Sequence, residues 1–222
     1  MAEPIPVALD HLVFACSDLS EGVDRMAERV GVAPVPGGRH PAWGTRNALL
    51  GLERGAYLEV VAPDPSVPPP AGGRGLGVDG AGSGRLVTWA ARPESIATAA
   101  RRSAALGIDL GPVGTGSRRT ADGGLLEWVM TDPGADRLSG VVPFLLDWGE
   151  SRHPAASLAA AGRVAGSVVA LRIRHPDPER VRVALGLIAV PPSETSTPVV
   201  VDSGPVSLEA ILATPRGEVV LR

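Results

Sequence analysis

The sequence predicts an α+β protein made of repeated strand–helix–strand units with mixed, mostly antiparallel sheets. Three observations carry this. Each third of the chain opens on a short apolar run of strand-like composition and then passes into a stretch with helical spacing. After each such stretch come further short runs bounded by Gly, Pro and Asp turn chemistry. Finally, residues 48–59 align without a gap on residues 210–221, with Arg54-Gly55 and Arg216-Gly217 at the same offset. Self-similarity at that separation points to duplicated modules.

A chain of 222 residues can bury a sizeable core. Its net charge is −3, and acidic and basic side chains are mixed throughout. There is no lysine, and the arginines are scattered. No basic stripe of the kind that binds nucleic acid is present. The single cysteine, Cys16, cannot form an internal disulfide, which suits a reducing cytoplasm. It ends an apolar run and reads as a buried structural thiol. The first ten residues lack the basic and apolar regions of a signal peptide. No apolar run approaches the roughly 20 residues of a membrane span. A cytoplasmic protein with no membrane partner is expected.

The first unit, residues 1–64, begins with a strand over 8–16. Ser17 or Asp18 caps a helix whose stripe is Leu19, Val23, Met26 and Val30, and Gly31 stops it. Strands over 47–52 and 56–61 flank the turn Glu53-Arg54-Gly55, giving βαβββ with the segment before them. Residues 65–84, with Pro68-Pro69-Pro70 and several glycines, read as a linker or surface loop more mobile than the sheets. The second unit, 85–150, has a strand over 86–91 and a helix from Pro93 to Leu106. Strands follow over 125–131 and 141–148, separated by turn chemistry at 132–136. Residues 151–166 are a linker with a short alanine-rich helix. The third, shorter unit, 167–222, reads βαββ in outline. It has a strand over 168–174, and Asp177-Pro178-Glu179 opens a helix. Strand candidates lie at 198–202, 207–214 and 218–222. The glycine-rich stretches 72–84 and 111–116 lack the strand–turn–helix context of a nucleotide site and read as loops.

Chemistry concentrates near the first hairpin. Tyr57, Glu59 and Val61 share one strand face by the period of two, and Leu58 and Val60 take the other. A carboxylate half-buried on a sheet is costly unless paired or metal-bound. His11 lies on the first strand, with Leu12 and Phe14 on the opposite face. One helix with one apolar stripe covers one side of the sheet, so His11 and Glu59 belong on the other. The third unit has Leu221 where Glu59 aligns, as expected if the carboxylate serves a site and not the hairpin. His11 and Glu59 could bind a metal, or pair with each other or with an arginine in a polar cavity. Such a metal would be Zn, Ni, Mn or Fe. His40, in a loop beside Gly37-Gly38, offers an extra ligand or an acid–base group, or is simply solvated. Its Arg-His-Pro context recurs at 152–154 and 174–176. Thr45 and Asn47 share a face opposite Arg46, so Asn47 lines the cavity if its face is that of Glu59. Trp43, Trp89 and Trp148 are core residues or pocket walls.

The segments Leu9-Asp10-His11-Leu12-Val13, His40-Pro41-Ala42-Trp43-Gly44-Thr45-Arg46-Asn47 and Tyr57-Leu58-Glu59-Val60 resemble the glyoxalase-like domains of the vicinal oxygen chelate superfamily. Pro143-Phe144-Leu145-Leu146-Asp147-Trp148 resembles the closing strand of their second module. The resemblance implies paired βαβββ modules forming curved mixed sheets around a concave cavity. It implies a small-molecule ligand with adjacent oxygens and lyase, isomerase or dioxygenase chemistry assisted by a divalent metal. The alternative is a non-catalytic binding or sequestering protein on the same scaffold. A homodimer is compatible with it. By position, His11 and Glu59 become the metal ligands, and Glu59, His40 and Asp147 the catalytic groups. Asn47, Thr45, Tyr57 and Trp89 become substrate-binding residues. The strand over 85–89 carries no His, Glu or Gln, so the four-ligand set of lactoylglutathione lyase is absent.

Overall fold

The computed structural model describes residues 3–119 and 124–222. The first module is β2 (Leu9–Ala15), α1 (Leu19–Val30), β3 (Val35–His40), β4 (Thr45–Leu52) and β5 (Ala56–Pro63). The second is β6 (Arg85–Ala91), α2 (Ile96–Ala105), β7 (Val113–Arg119), β8 (Leu125–Thr131) and β9 (Phe144–Asp147). Each is βαβββ, and the two orders mirror each other in one eight-stranded sheet, β3-β4-β5-β2-β6-β9-β8-β7. β2 and β5 run parallel with His11 opposite Tyr57, and β2 and β6 join the modules antiparallel. The sheet curls into a half-barrel. Its edge strands come close enough that a Cβ on Gly38 would sit 3.1 Å from Cδ of Arg118. The expected curved mixed sheet around a concave face is therefore observed.

Local chemistry explains the elements. The Asp18 carboxylate accepts from the Glu21 amide at 3.0 Å, and Gly31 ends α1 at φ 82°. Gly22 is buried because α1 crosses Cys16 closely: a Cβ there would lie 2.4 Å from the sulfur. The thiol is buried as expected, and burial pushes its pKa up to about 11. Leu12, Phe14, Leu50, Leu58, Val60 and Trp89 form the helix-covered face with Met26 and Val30. Each large side chain buried there contributes about 1.5–3 kcal/mol.

After α3 (Pro154–Ala160) comes a second sheet made from β10 (Ser167–His175), β11 (Thr197–Ser203), β12 (Ser207–Thr214) and β13 (Gly217–Leu221). The helix α4 (Pro178–Gly186) follows β10, and three strands follow it, one more than βαββ. The order β1-β11-β10-β12-β13 includes β1 (Ile5–Val7) from the N-terminal segment. This sheet shares the main core through Leu171, Ile173, Leu212 and Leu221.

Several expectations are corrected. The strand expected over 8–16 is observed as β2, and the unexpected β1 precedes it in the other sheet. The expected loop at 111–116 runs into β7, whose Gly116 lies beneath Trp128; a Cβ there would be 2.4 Å from the indole. The strand over 141–148 begins only at Phe144, because the preceding turn wraps the Arg137 guanidinium, which donates to Pro133 O and Ala135 O. Residues 65–84 are not a bare connection. They form a short 3-10 helix, Gly75–Gly80, with Val78 and Ala81 buried against Val13, Val61 and Phe144. The repeat also slips by one residue. The first hairpin closes on Leu52 and Ala56, the other on Thr214 and Gly217. Glu59 thus pairs Leu49 while Leu221 pairs Ala210, and Leu221 joins the core. Leu221 is therefore no counterpart of Glu59. Among the described residues no helix is long and apolar enough to cross a membrane.

Candidate active site

The site grows from an irregularity in β2. Leu9 pairs Ala91 and His11 pairs Ala90, so β2 carries one extra residue at Asp10. A bulge shifts side-chain parity. Leu9 accordingly joins the same core as Leu12 and Phe14, and Asp10 and His11 both serve the polar side. The Asp10 carboxylate is fully buried. Oδ1 lies 2.6 Å from His11 Nδ1, and Oδ2 accepts from Trp148 Nε1 at 3.1 Å and meets His153 Nε2 at 3.0 Å. The His153 Nδ1 accepts from Ala155 N, so Nε2 carries the proton toward Asp10. Arg92 Nε is 3.8 Å away. Burial pushes the Asp10 carboxyl up, but the hydrogen bonds and charges of His11 and His153 outweigh it and hold the group well below the usual carboxylate range.

His11 is thereby fixed with Nε2 toward the cavity, 3.5 Å from Glu59 Oε2. Its ring stacks on Tyr57 at 4.5 Å and meets the edge of Phe144 at 5.4 Å. Glu59 Oε1 accepts from Asn47 Nδ2 at 2.6 Å, and Asn47 Oδ1 accepts from Gly38 N at 2.6 Å. Asn47 thus ties Glu59 to the edge strand and leaves Oε2 open. His40 Nδ1 contacts the Thr45 hydroxyl at 3.0 Å. Burial lowers the His40 pKa, against an upward pull from Glu59, so the ring tends to neutral. Burial, then the charges of Asp10 and Glu59, push the Tyr57 phenol well above its usual range. That hydroxyl stays protonated and has no hydrogen-bond partner among the described residues.

These groups line one cavity of about 300 Å³. Its other wall comes from the second module: Arg118, Trp128, Met130, Phe144 and Leu146. A larger outer hollow of about 1060 Å³ shares Leu49, Arg118, Trp128 and Trp148 with it and opens to solvent. Of the residues singled out from sequence, His11, His40, Asn47, Tyr57 and Glu59 meet in the inner cavity, with Trp43 beside them. Arg46 does not line it, as parity requires. Thr45 is buried behind His40. Trp89 is not a wall residue: it is fully buried in the helix-covered core and donates to Val141 O at 2.8 Å. Asp147 is not in the inner cavity either. Phe144 and Leu146 take the cavity parity of β9, so Asp147 turns away, borders the outer hollow and accepts from Gly149 N.

A resident divalent metal fits this donor set poorly. His11 Nε2 and Glu59 Oε2 face each other at a separation two ligands of one ion could have. Phe144 and Leu146 of the second module, with Met130 and Trp128, face them with no oxygen or imidazole donor. Among the described residues no cluster of three or more His, Cys, Asp or Glu could hold an ion.

The sequence profile of a glyoxalase-like domain matches residues 9–186. The chain belongs to this glyoxalase-like family. Among curated proteins, none matches the sequence. Among solved structures, a hypothetical protein from Staphylococcus aureus shares the fold with a TM-score of 0.62 at 13% identity, over 90% of this chain and 87% of that one. Methylmalonyl-CoA epimerase from Mycobacterium tuberculosis matches with a TM-score of 0.44 and 21% identity, over 72% of this chain and 96% of its own. An epimerase complex with methylmalonyl-CoA and NH4+ matches at 0.45 and 19%, over 67% and 99%. This glyoxalase-like chain carries its second sheet beyond the two paired modules. The sequence reading missed Asp10, His153 and Arg118. A visible signal for Asp10 is a second polar side chain beside His11 in an otherwise apolar run, with Leu9 and Leu12 three apart.

Proposed function

We propose that this glyoxalase-like protein is a small-molecule enzyme that moves a proton at a carbon next to a carbonyl, an isomerase or lyase reaction. The observation that supports this most is the buried juxtaposition of Glu59 Oε2 and His11 Nε2 at 3.5 Å, each oriented from behind by its own partner. Glu59 is the base that takes the proton from carbon. Asp10 keeps the His11 Nδ1 proton, so Nε2 is free to accept or return a proton. The protonated Tyr57 phenol donates to the oxygen on which negative charge develops. The apolar wall of Trp128, Met130 and Phe144 excludes water and strengthens each of these interactions.

The apolar patch of Trp128, Met130, Phe144 and Leu146 also favours a second reading, a protein that binds and sequesters a ligand without turnover. One experiment separates the two. A panel of 2-oxo acids and thioesters is incubated in heavy water, and loss of carbon-bound hydrogen is followed by proton NMR. Enzyme-dependent exchange that falls at least about 100-fold in Glu59→Gln is expected. Compounds that bind with no exchange at any carbon would make the protein a binder.

A further inference from the structure

We propose that Arg118 forms an anion subsite at the cavity mouth, and that the ligand is a compact carboxylate with an aromatic or branched apolar body. This deepens the proton-transfer reading and takes its reacting carbon to lie at the same cavity. Arg118 lies on β7 and borders both the inner cavity and the outer hollow. Its stem crosses Gly38, where a Cβ would come within 3.1 Å of Cδ, so glycine there leaves room for the side chain over the opposite edge strand.

Glu127, Asp147, Glu150 and Arg152 line the outer hollow that Arg118 also borders, whereas the other charged groups at and behind the inner cavity have partners of their own. The guanidinium of Arg39 is bound to Asp64 at 2.6 Å, and that of Arg74 to Asp79 at 2.8 Å. Glu59 Oε1 is taken by Asn47. Asp10 faces His11, His153 and Arg92. Arg118 has no ion pair and no hydrogen-bond partner among the described residues. Its charge still reaches inward, since it acts on both His40 and Tyr57.

An unpaired guanidinium is a fork of donors suited to a planar carboxylate. On the neighbouring strand Trp128 sits over Gly116 and packs, tilted, against Trp148 with ring centroids 5.3 Å apart. A cation next to an aromatic platform, over a cavity of about 300 Å³, selects a small acid whose apolar part stacks on the tryptophans.

The test uses two matched probes, 3-phenylpropanoate and its neutral amide, titrated against the full chain and followed by tryptophan fluorescence. The expected result is at least about tenfold tighter binding of the carboxylate. The Arg118→Gln variant should lose that preference with amide binding unchanged, and Arg118→Lys should keep part of it. Added salt should weaken carboxylate binding to the wild-type chain and leave the amide alone, a readout that holds even if a variant folds poorly. Equal affinity for the two probes, no binding of either at millimolar concentration, or full preference in Arg118→Gln would overturn the proposal. Anion preference without hydrogen exchange at carbon leaves the subsite standing and removes the proton-transfer reading. Exchange on neutral carbonyl compounds without anion preference does the reverse.

Discussion

Asp10 holds His11 from behind and is itself fully buried, with Trp148 and His153 closing around its second oxygen. Replacing it with Asn leaves two imidazoles facing an amide that cannot accept from both as a carboxylate does. Asp10→Asn should cost about 3–5 kcal/mol of stability, measured by urea denaturation. The pH dependence follows from the same groups. The folded Asp10 pKa lies below its unfolded value near 3.9, so its stabilising effect is complete above that value and is lost as pH falls. His40 is also lowered in the fold, so the unfolded chain binds the extra proton. Its stabilising effect is complete above about pH 6.5 and fades as pH drops below that. Melting temperature should therefore fall between about pH 6.5 and 5, and His40→Gln should flatten that part of the curve. Glu59 and Tyr57 were legible from alternation, His11 from the one-sided helix, and the plain register of β4 on β5 puts Asn47 on the face of Glu59. Asp10 was hidden by the bulge beside it, which breaks the alternation that revealed the others.

At the scale of elements, β7 shows why the second module was hard to read. Glycines at 114 and 116 suggest a loop, but Gly116 is required by the indole of Trp128 above it. Gly116→Ala should destabilise the chain by about 1–3 kcal/mol by overpacking, and should loosen ligand binding by tilting Trp128. Thermal melting with a probe titration would check both effects. In β9 three buried residues, Phe144, Leu145 and Leu146, precede Asp147, and a run without alternation does not say which face is inward. The resemblance alone points to Asp147, and such a run gives no parity to test it against. The 3-10 turn at Gly75–Gly80 was missed for a related reason. Its glycines signal freedom, but Val78 and Ala81 anchor it on the concave face.

At the scale of the molecule, one core runs from Met26 and Trp89 through Leu171 and Leu212 to Leu221. Hydrogen bonds reinforce it: Leu86 N donates to Arg222 O at 2.6 Å, and the Arg29 guanidinium Nη2 donates to Val220 O at 2.6 Å. The second sheet therefore completes the outer side of the glyoxalase-like modules. The full chain should unfold in a single cooperative transition, and a chain cut after residue 166 should lose it, as followed by calorimetry. Two separate transitions would contradict this. The repeat in the sequence pointed correctly to a hairpin in each unit, but it could not show that strand pairing differs in the third. Pairing depends on contacts far apart in the chain.

The most direct measurement is a crystal structure of the Glu59→Gln variant with a bound 2-oxo acid. The account predicts the ligand in the inner cavity, its acidic carbon within roughly 3–3.5 Å of the Glu59 side-chain position. His11 Nε2 and the Tyr57 hydroxyl should face the same carbonyl region, and the carboxylate should lie on Arg118. A ligand seated only in the outer hollow, or one whose acidic carbon points away from Glu59 and His11, would contradict it.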